Sequence, residues 1–391
     1  MWPRAAFGRW AQGAAAVCVG AGLAACALAP PAAPGVMPPY PYSRYVTGIS
    51  WDFSPLSTQR RAHGSDLWPC AWASDDNLYC AWGDGGGFDG DDDNIGRVSL
   101  GFARIEGTPS LADPSAWTGK NVWGEPPYAE NKANFGGKVS SMTGVGGVLY
   151  GTASLWTAAN SARPSHTSEA GPLKSLIWSS DLGKTWQIAP WSVRSGLGSF
   201  LNFGRDGADA FDSWIYLYYL READTRHLYL KRVRSERLQS DPAIPGSYQY
   251  LSGVGRGGRR VRWSTRDSDA VPVFCDVNNV LSQDVVYDAP LRRYLLTVGH
   301  YATGDEHDAS AGQFGVFESP FPWGPWSTIA YYEDWGGLRS ASHGDFIEMH
   351  IPAKWIGDRG VTFWAVFSGL RAFDSFNLVR GTLSVAAPGP Q

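Results

Sequence analysis

Glu348 and His350 stand two apart in Phe346-Ile-Glu-Met-His-Ile351. On a strand they share one face, while Ile347, Met349 and Ile351 share the other. A carboxyl beside an imidazole can pass a proton, because each shifts the pKa of its neighbour. Other acids begin or precede strand-like runs: Asp66 in Gly64-Ser65-Asp66-Leu67-Trp68-Pro69, Asp84 in Trp82-Gly83-Asp84-Gly85-Gly86-Gly87-Phe88, Asp284 in Ser282-Gln283-Asp284, and Asp345 shortly before Glu348. Cleaving a glycosidic bond takes two carboxyl groups, one kept protonated and one ionised. On this reading Asp66 is the base or nucleophile, and Asp84, Asp284, Asp345, Glu348 and His350 are the further catalytic candidates. Trp68, beside Asp66, would contribute a sugar platform; Trp82, Lys138, Asn202, Arg205 and His343 join it as substrate-binding candidates. Each has a plainer reading beside it, since an Asp of this kind also caps turns against backbone N–H groups.

These groups lie far apart in the chain and need a scaffold that gathers them. An aromatic-centred strand recurs five times at intervals of roughly seventy residues, a period that signals repeated supersecondary units. The copies are Leu78–Trp82, Leu149–Ala153, Ile215–Tyr219, Arg293–Thr297 and Thr362–Val366. A second β-rich run follows each: Leu100–Ile105, Ser175–Ser179, Leu228–Val233, Phe314–Glu318 and Leu378–Val385. With no run of helical period, the chain reads as an all-β, five-bladed β-propeller, whose radial sheets bury their faces against one another. Residues 45–53 form a strand outside the repeat register, so the N- and C-terminal strands are expected to pair and close the ring. Polar groups at the entrances of the inner strands then meet in one funnel: Ser65 and Asp66, Lys138, Asn202 and Asp206, Gln283 and Asp284, and His343, Asp345, Glu348 and His350.

Ser179-Ser180-Asp181-Leu182-Gly183-Lys184-Thr185-Trp186 matches the Asp-box pattern and resembles the turn found in sialidases and other propellers. The resemblance implies a structural part for Ser179, Asp181, Gly183 and Trp186. Tyr287-Asp-Ala-Pro-Leu-Arg-Arg-Tyr294, followed by Gly324-Pro-Trp326, is similar to a pattern of five-bladed carbohydrate-active propellers. Together with Phe200-Leu-Asn-Phe-Gly-Arg-Asp206 and Asn377-Leu-Val-Arg380, these segments resemble a bacterial family of exported propellers, largely of unknown function, related to a domain that includes endo-D-arabinanases. The likeness covers most of residues 45–385. Where the arabinanase branch has a glutamate on the inner strand of the fourth blade, this chain reads Ser282-Gln283-Asp284, so Asp284 would act from a shifted position or the part is lost.

The N-terminus carries Arg4 and Arg9, then an apolar run ending in Leu23-Ala-Ala-Cys26. It reads as a secretory lipoprotein signal over 1–25, with Cys26 the lipidated residue. An Ala/Pro-rich tether over 26–41 and one propeller domain over 42–387 would follow, placing the protein at the bacterial cell envelope, lipid-anchored and extracytoplasmic. The formal net charge of −4 excludes the broad basic footprint that a nucleic-acid partner requires. Cys70 and Cys80 flank a turn signal and are positioned for a disulfide in an oxidising compartment, which would leave Cys275 as a small buried hydrophobe. Asp89, Asp91 and Asp93 fall in an acidic run able to offer oxygens to calcium, but its spacing does not match the EF-hand loop and a solvated acidic loop is the favoured reading; no zinc spacing is present and no cofactor is expected. The expected protein is a monomer acting on a polysaccharide or glycoconjugate as a glycoside hydrolase. A polysaccharide lyase and a non-catalytic glycan binder are the alternatives, and the lyase is disfavoured because no basic cluster is evident in the sequence.

Overall fold

The structure, a computed structural model, describes residues 37–90, 95–156, 173–222, 224–300, 313–337, 347–369 and 374–387. Among them the strands assemble into five antiparallel blades around one axis. The innermost strands are Asp66–Trp72, Gly136–Val145, Ser199–Asn202, Ser282–Asp288 and Ile347–His350. The aromatic-centred runs form the second strand of each blade: Leu78–Gly83, Val148–Trp156, Trp214–Arg221, Arg293–Gly299 and Thr362–Gly369. The β-rich runs that follow them are the third strands. Ring closure is as expected: Val46–Asp52 pairs antiparallel with Asn377–Val385 and becomes the outer strand of the fifth blade. This pairing covers an edge that would otherwise present unpaired backbone groups.

Aromatic side chains fill the wedges between blades. Phe102 of the first blade stacks on Trp186 of the second, with ring centroids 3.8 Å apart. Trp51 on the closing strand meets Trp335 and Phe363 edge-on at 5.1 and 5.7 Å. Such rings bring area burial and edge-to-face attraction together. Their bulk needs room: a Cβ on Gly101 would lie 2.1 Å from the Trp82 ring, and one on Gly381 would lie 2.4 Å from Phe363. The third and fourth blades are also joined at the axis, where Leu201 and Asn202 pair in parallel with Val285 and Val286.

The Tyr40 hydroxyl accepts a hydrogen bond from the Cys275 N–H, and its ring packs on Phe274. Cys70 and Cys80 face each other across the first hairpin and are disulfide-bonded. Cys275 is also disulfide-bonded, which corrects its expectation as an unpaired thiol, and it is buried as expected. The proposed lipidation site Cys26 lies outside the described residues, and no helix among them is long and apolar enough to cross a membrane.

Candidate active site

The inner strands run in one direction, so their first residues meet at one end of the axis. Asp66 opens the inner strand of the first blade, and Lys138 is the third residue of the inner strand of the second. The Lys138 Nζ donates to Asp66 Oδ1 at 2.9 Å and lies 2.9 Å from Asp84 Oδ2 on its other side. Asp84, at the mouth, has a side chain 44% exposed and also faces Arg97 at 3.8 Å. Gly83 makes this triad possible: a Cβ there would stand 2.3 Å from both Asp66 Oδ1 and Lys138 Nζ. Burial raises the pKa of Asp66, and the Lys138 ammonium opposes that rise.

Glu348 and His350 come from the short inner strand of the fifth blade and share its axial face, while Met349 between them is buried in the core as alternation requires. Burial pushes the Glu348 carboxyl up to about 7; His350 opposes the shift and the Asp66 charge adds to it. Glu348 therefore holds its proton up to about pH 7, and at Asp66 Lys138 works against the rise that burial imposes. Burial alone would lower the pKa of His350, yet the Asp284 and Glu348 carboxylates outweigh it and the imidazole is raised. His350 Nδ1 lies 3.4 Å from Asp284 Oδ1, and both side chains are almost wholly buried. Asp284 also accepts the Ile351 N–H at 3.3 Å, which holds it beneath the imidazole.

A cavity of about 370 Å³ opens over this floor, with Glu348 and His350 at its base and Gln283, Ser199 and Ser140 from neighbouring blades on its walls. Gln283 Nε2 donates to Ser199 Oγ at 3.0 Å, fixing that wall. The volume suits a sugar ring rather than an extended polymer face. Asp66, Asp84 and Lys138 do not line this cavity. Glu348 at its base can protonate a leaving oxygen, and Asp66, near enough for its charge to raise Glu348, can activate a water or attack a carbon.

The fold has solved counterparts. A hydrolase candidate from Bacteroides ovatus superposes with a TM-score of 0.50 at 13% identity, covering 85% of this chain and 90% of its own. An α-L-arabinofuranosidase from Podospora anserina, solved with cellotriose, gives 0.42 at 14% identity over 88% of this chain and 99% of its own. A GH43 enzyme from Xanthomonas citri gives 0.42 at 11% over 88% and 92%. At such identities the likeness speaks to the fold alone. No protein-family model matches the chain, and no curated protein matches it.

Of the residues singled out from the sequence, Asp66, Asp84, Lys138, Asp284, Glu348 and His350 converge on the axis. Trp68 and Trp82 do not line the funnel: they are 0% and 1% exposed. A bulge is the cause for Trp68. The register shifts between Leu67 and Cys70, with Leu67 and Trp68 at φ of 74° and 64°, which turns the indole into the core, where its Nε1 donates to the Ser65 carbonyl. The Trp82 ring lies over Gly101 and packs against Trp68 at 5.9 Å. Asn202 and Arg205 belong to the opposite end of the axis. Asn202 ends its inner strand rather than opening it and borders a recess of about 10 Å³ behind Asp284 and His350, room for about one water. Arg205 faces Asp76, in the hairpin turn of the first blade, at 3.8 Å. Asp206 is likewise spent on structure, accepting the Gly147 N–H.

Asp345 and His343 lie outside the described residues, as do Asp91 and Asp93. Asp89 accepts the Asn121 N–H at 2.8 Å, and no group of three metal-ligating side chains occurs among the described residues. In the second blade, Asp181 accepts from the Thr185 N–H and hydroxyl and from Ser179 Oγ, Gly183 sits at φ 79°, and Trp186 Nε1 donates to the Gly183 carbonyl. That geometry is structural and distant from the cavity. Sequence reasoning missed Lys174, Arg194 and Arg221, which also line the cavity. The rule that polar groups precede an inner strand would have found Arg194 had that strand been started at Ser199.

Proposed function

We propose that the protein is a glycoside hydrolase in which Glu348 is the general acid and Asp66 the base or nucleophile. The observation that carries this reading is a pair of axial carboxyls close enough to influence one another: burial pushes Glu348 up to about 7 and the Asp66 charge adds to the rise, while the Lys138 ammonium at 2.9 Å from Asp66 opposes the rise that burial imposes there. Glu348 gives its proton to the glycosidic oxygen as the bond to the anomeric carbon breaks, and Asp66 takes a proton from the incoming water or attacks that carbon itself. Lys138 favours the ionised form of Asp66 against its burial, and Asp84 shares the ammonium at the mouth. His350, backed by Asp284, positions the strand that presents Glu348 and limits how far its pKa rises. Lysis of the glycan by elimination would need a tyrosine or neutral histidine as base, but His350 is raised towards its charged form and paired with Asp284.

The solved proteins that share the fold include α-L-arabinofuranosidases and xylotriose- and cellotriose-bound enzymes, which supports a glycan as partner. The test is product analysis of the purified protein against arabinans, xylans, sialosides and uronic-acid polysaccharides. New reducing ends without unsaturated sugars are expected; unsaturated products would replace the reading with a lyase, and binding without products would replace it with a carbohydrate-binding module.

We further propose that Cys26 carries a lipid that holds the domain at the cell envelope. Cys26→Ala should move the protein from the detergent-extracted membrane fraction to the soluble fraction; unchanged fractionation would contradict the anchor.

A further inference from the structure

Outside the acid pair, the cavity carries a feature that hydrolysis alone does not use. Lys174 opens the third strand of the second blade and bridges to Val193 across the sheet, with backbone N–H to carbonyl bonds of 2.8 Å in both directions. That bridge sets Arg194 one residue from the position opposite Lys174, and both side chains line the same cavity. Neither has an ion-pair partner among the described residues. Lys174 is partly withdrawn from water, and burial lowers its pKa. Arg221 stands on the same wall but shares Asp267 at 3.3 Å, so its charge is already matched. The acids that face the two cations are Glu222 at the exposed rim and Glu348 on the floor. A half-buried ammonium without a counter-charge loses solvation, and that cost falls when an anion enters the cavity beside it. A chain with a net charge of −4 thus presents a locally cationic wall inside its central cavity.

We infer that Lys174 and Arg194 form a subsite for a sugar bearing an anionic substituent, placed beside the bond that Glu348 and Asp66 act on. This inference deepens the hydrolase reading and rests on it for the identity of the cavity as a glycan site. The anionic group is a uronate carboxylate or a sulfate ester, which share the chemistry that the two cations recognise. A planar guanidinium can grip either in bidentate fashion, with the ammonium as a point charge at its side.

The experiment measures binding separately from turnover. Affinity electrophoresis and calorimetry of the full chain would use uronic-acid oligosaccharides, the same oligosaccharides with carboxyls reduced to alcohols, and sulfated and desulfated pairs. Anionic members should bind roughly tenfold or more tightly than their neutralised partners, an advantage that shrinks as salt is raised. The uronate and sulfate arms decide which source supplies the charge. Lys174→Ala with Arg194→Ala should abolish that advantage while leaving affinity for the neutral partners in place. Arg194→Gln alone, at an exposed position, should reduce it even if the double variant fails to fold. Equal affinity for charged and neutral members, or an unchanged advantage in Arg194→Gln, would overturn the subsite. If anionic sugars bind through Lys174 and Arg194 yet no new reducing ends appear, the hydrolase reading fails and the subsite stands.

Discussion

At the scale of single residues, the proposed chemistry turns on Glu348. Its folded-state pKa is pushed up to about 7 from the ordinary 4.5, so the folded protein holds this proton more tightly than the unfolded chain does. Stability from this group is fully present below pH 4.5 and is lost as pH rises towards 7. Glu348→Gln cannot ionise and escapes that loss. The variant should match the parent's melting temperature in acid and exceed it at pH 8, while its activity falls by about 10²–10⁴-fold. Thermal scans across pH check the first part, and a melting difference that does not grow between pH 4.5 and 8 would contradict the burial argument. The parent's kcat should also decline as pH passes about 7, where the acid loses its proton. The alternation of Glu348 and His350 about Met349 was legible in six letters of sequence, because period two follows from any strand. The direction of the Glu348 shift was not legible, since it depends on blades brought in from remote parts of the chain.

At the scale of elements, the hairpin Asp66–Trp72 with Leu78–Gly83 places the proposed base. The two strands put Asp66 opposite Gly83, and only a residue without a Cβ leaves room for Asp66 and Lys138 to meet above it. Gly83→Ala, whose Cβ would fall 2.3 Å from both partners, should separate the ion pair and lower activity at least tenfold, with only a small change in melting temperature because the strand pairing is kept. Full activity in that variant would mean that the Lys138 clamp is dispensable. The same hairpin shows where reading from sequence stops. Trp68 beside Asp66 suggested a sugar platform, but the bulge reverses the side to which it points, and a one-residue irregularity in register is not encoded in composition. The polar entrance of the third blade was placed at Asn202 instead of Ser199 for a related reason: a four-residue strand gives too little pattern to fix its own start.

For the whole molecule, the five-fold repeat was readable because each blade repeats one aromatic-centred strand and one β-rich strand, and both sets occupy equivalent places in every blade. Closure by Val46–Asp52 followed from a strand left outside that register. Trp51 is the anchor of the closure, wedged against Trp335 and Phe363 and donating from Nε1 to the Tyr332 hydroxyl at 3.0 Å. Trp51→Ala should cost about 3 kcal/mol, the low end for tryptophan truncation because the ring is only half-buried. Denaturant unfolding measures this, and a loss within about 0.5 kcal/mol, the range of ordinary surface changes, would show that the ring closes without it. The cationic wall was invisible in the sequence because Lys174 and Arg194 are brought together only by a backbone bridge between two blade segments. The central claim is that the ring brings Asp66 and Glu348 together at its axis as base and acid, and Asp66→Asn tests it most directly. The amide keeps the shape of the side chain but cannot ionise. Turnover of the substrate found by product analysis should vanish while ligand affinity and melting temperature stay near those of the parent; unchanged turnover would remove Asp66 from the chemistry and contradict the account.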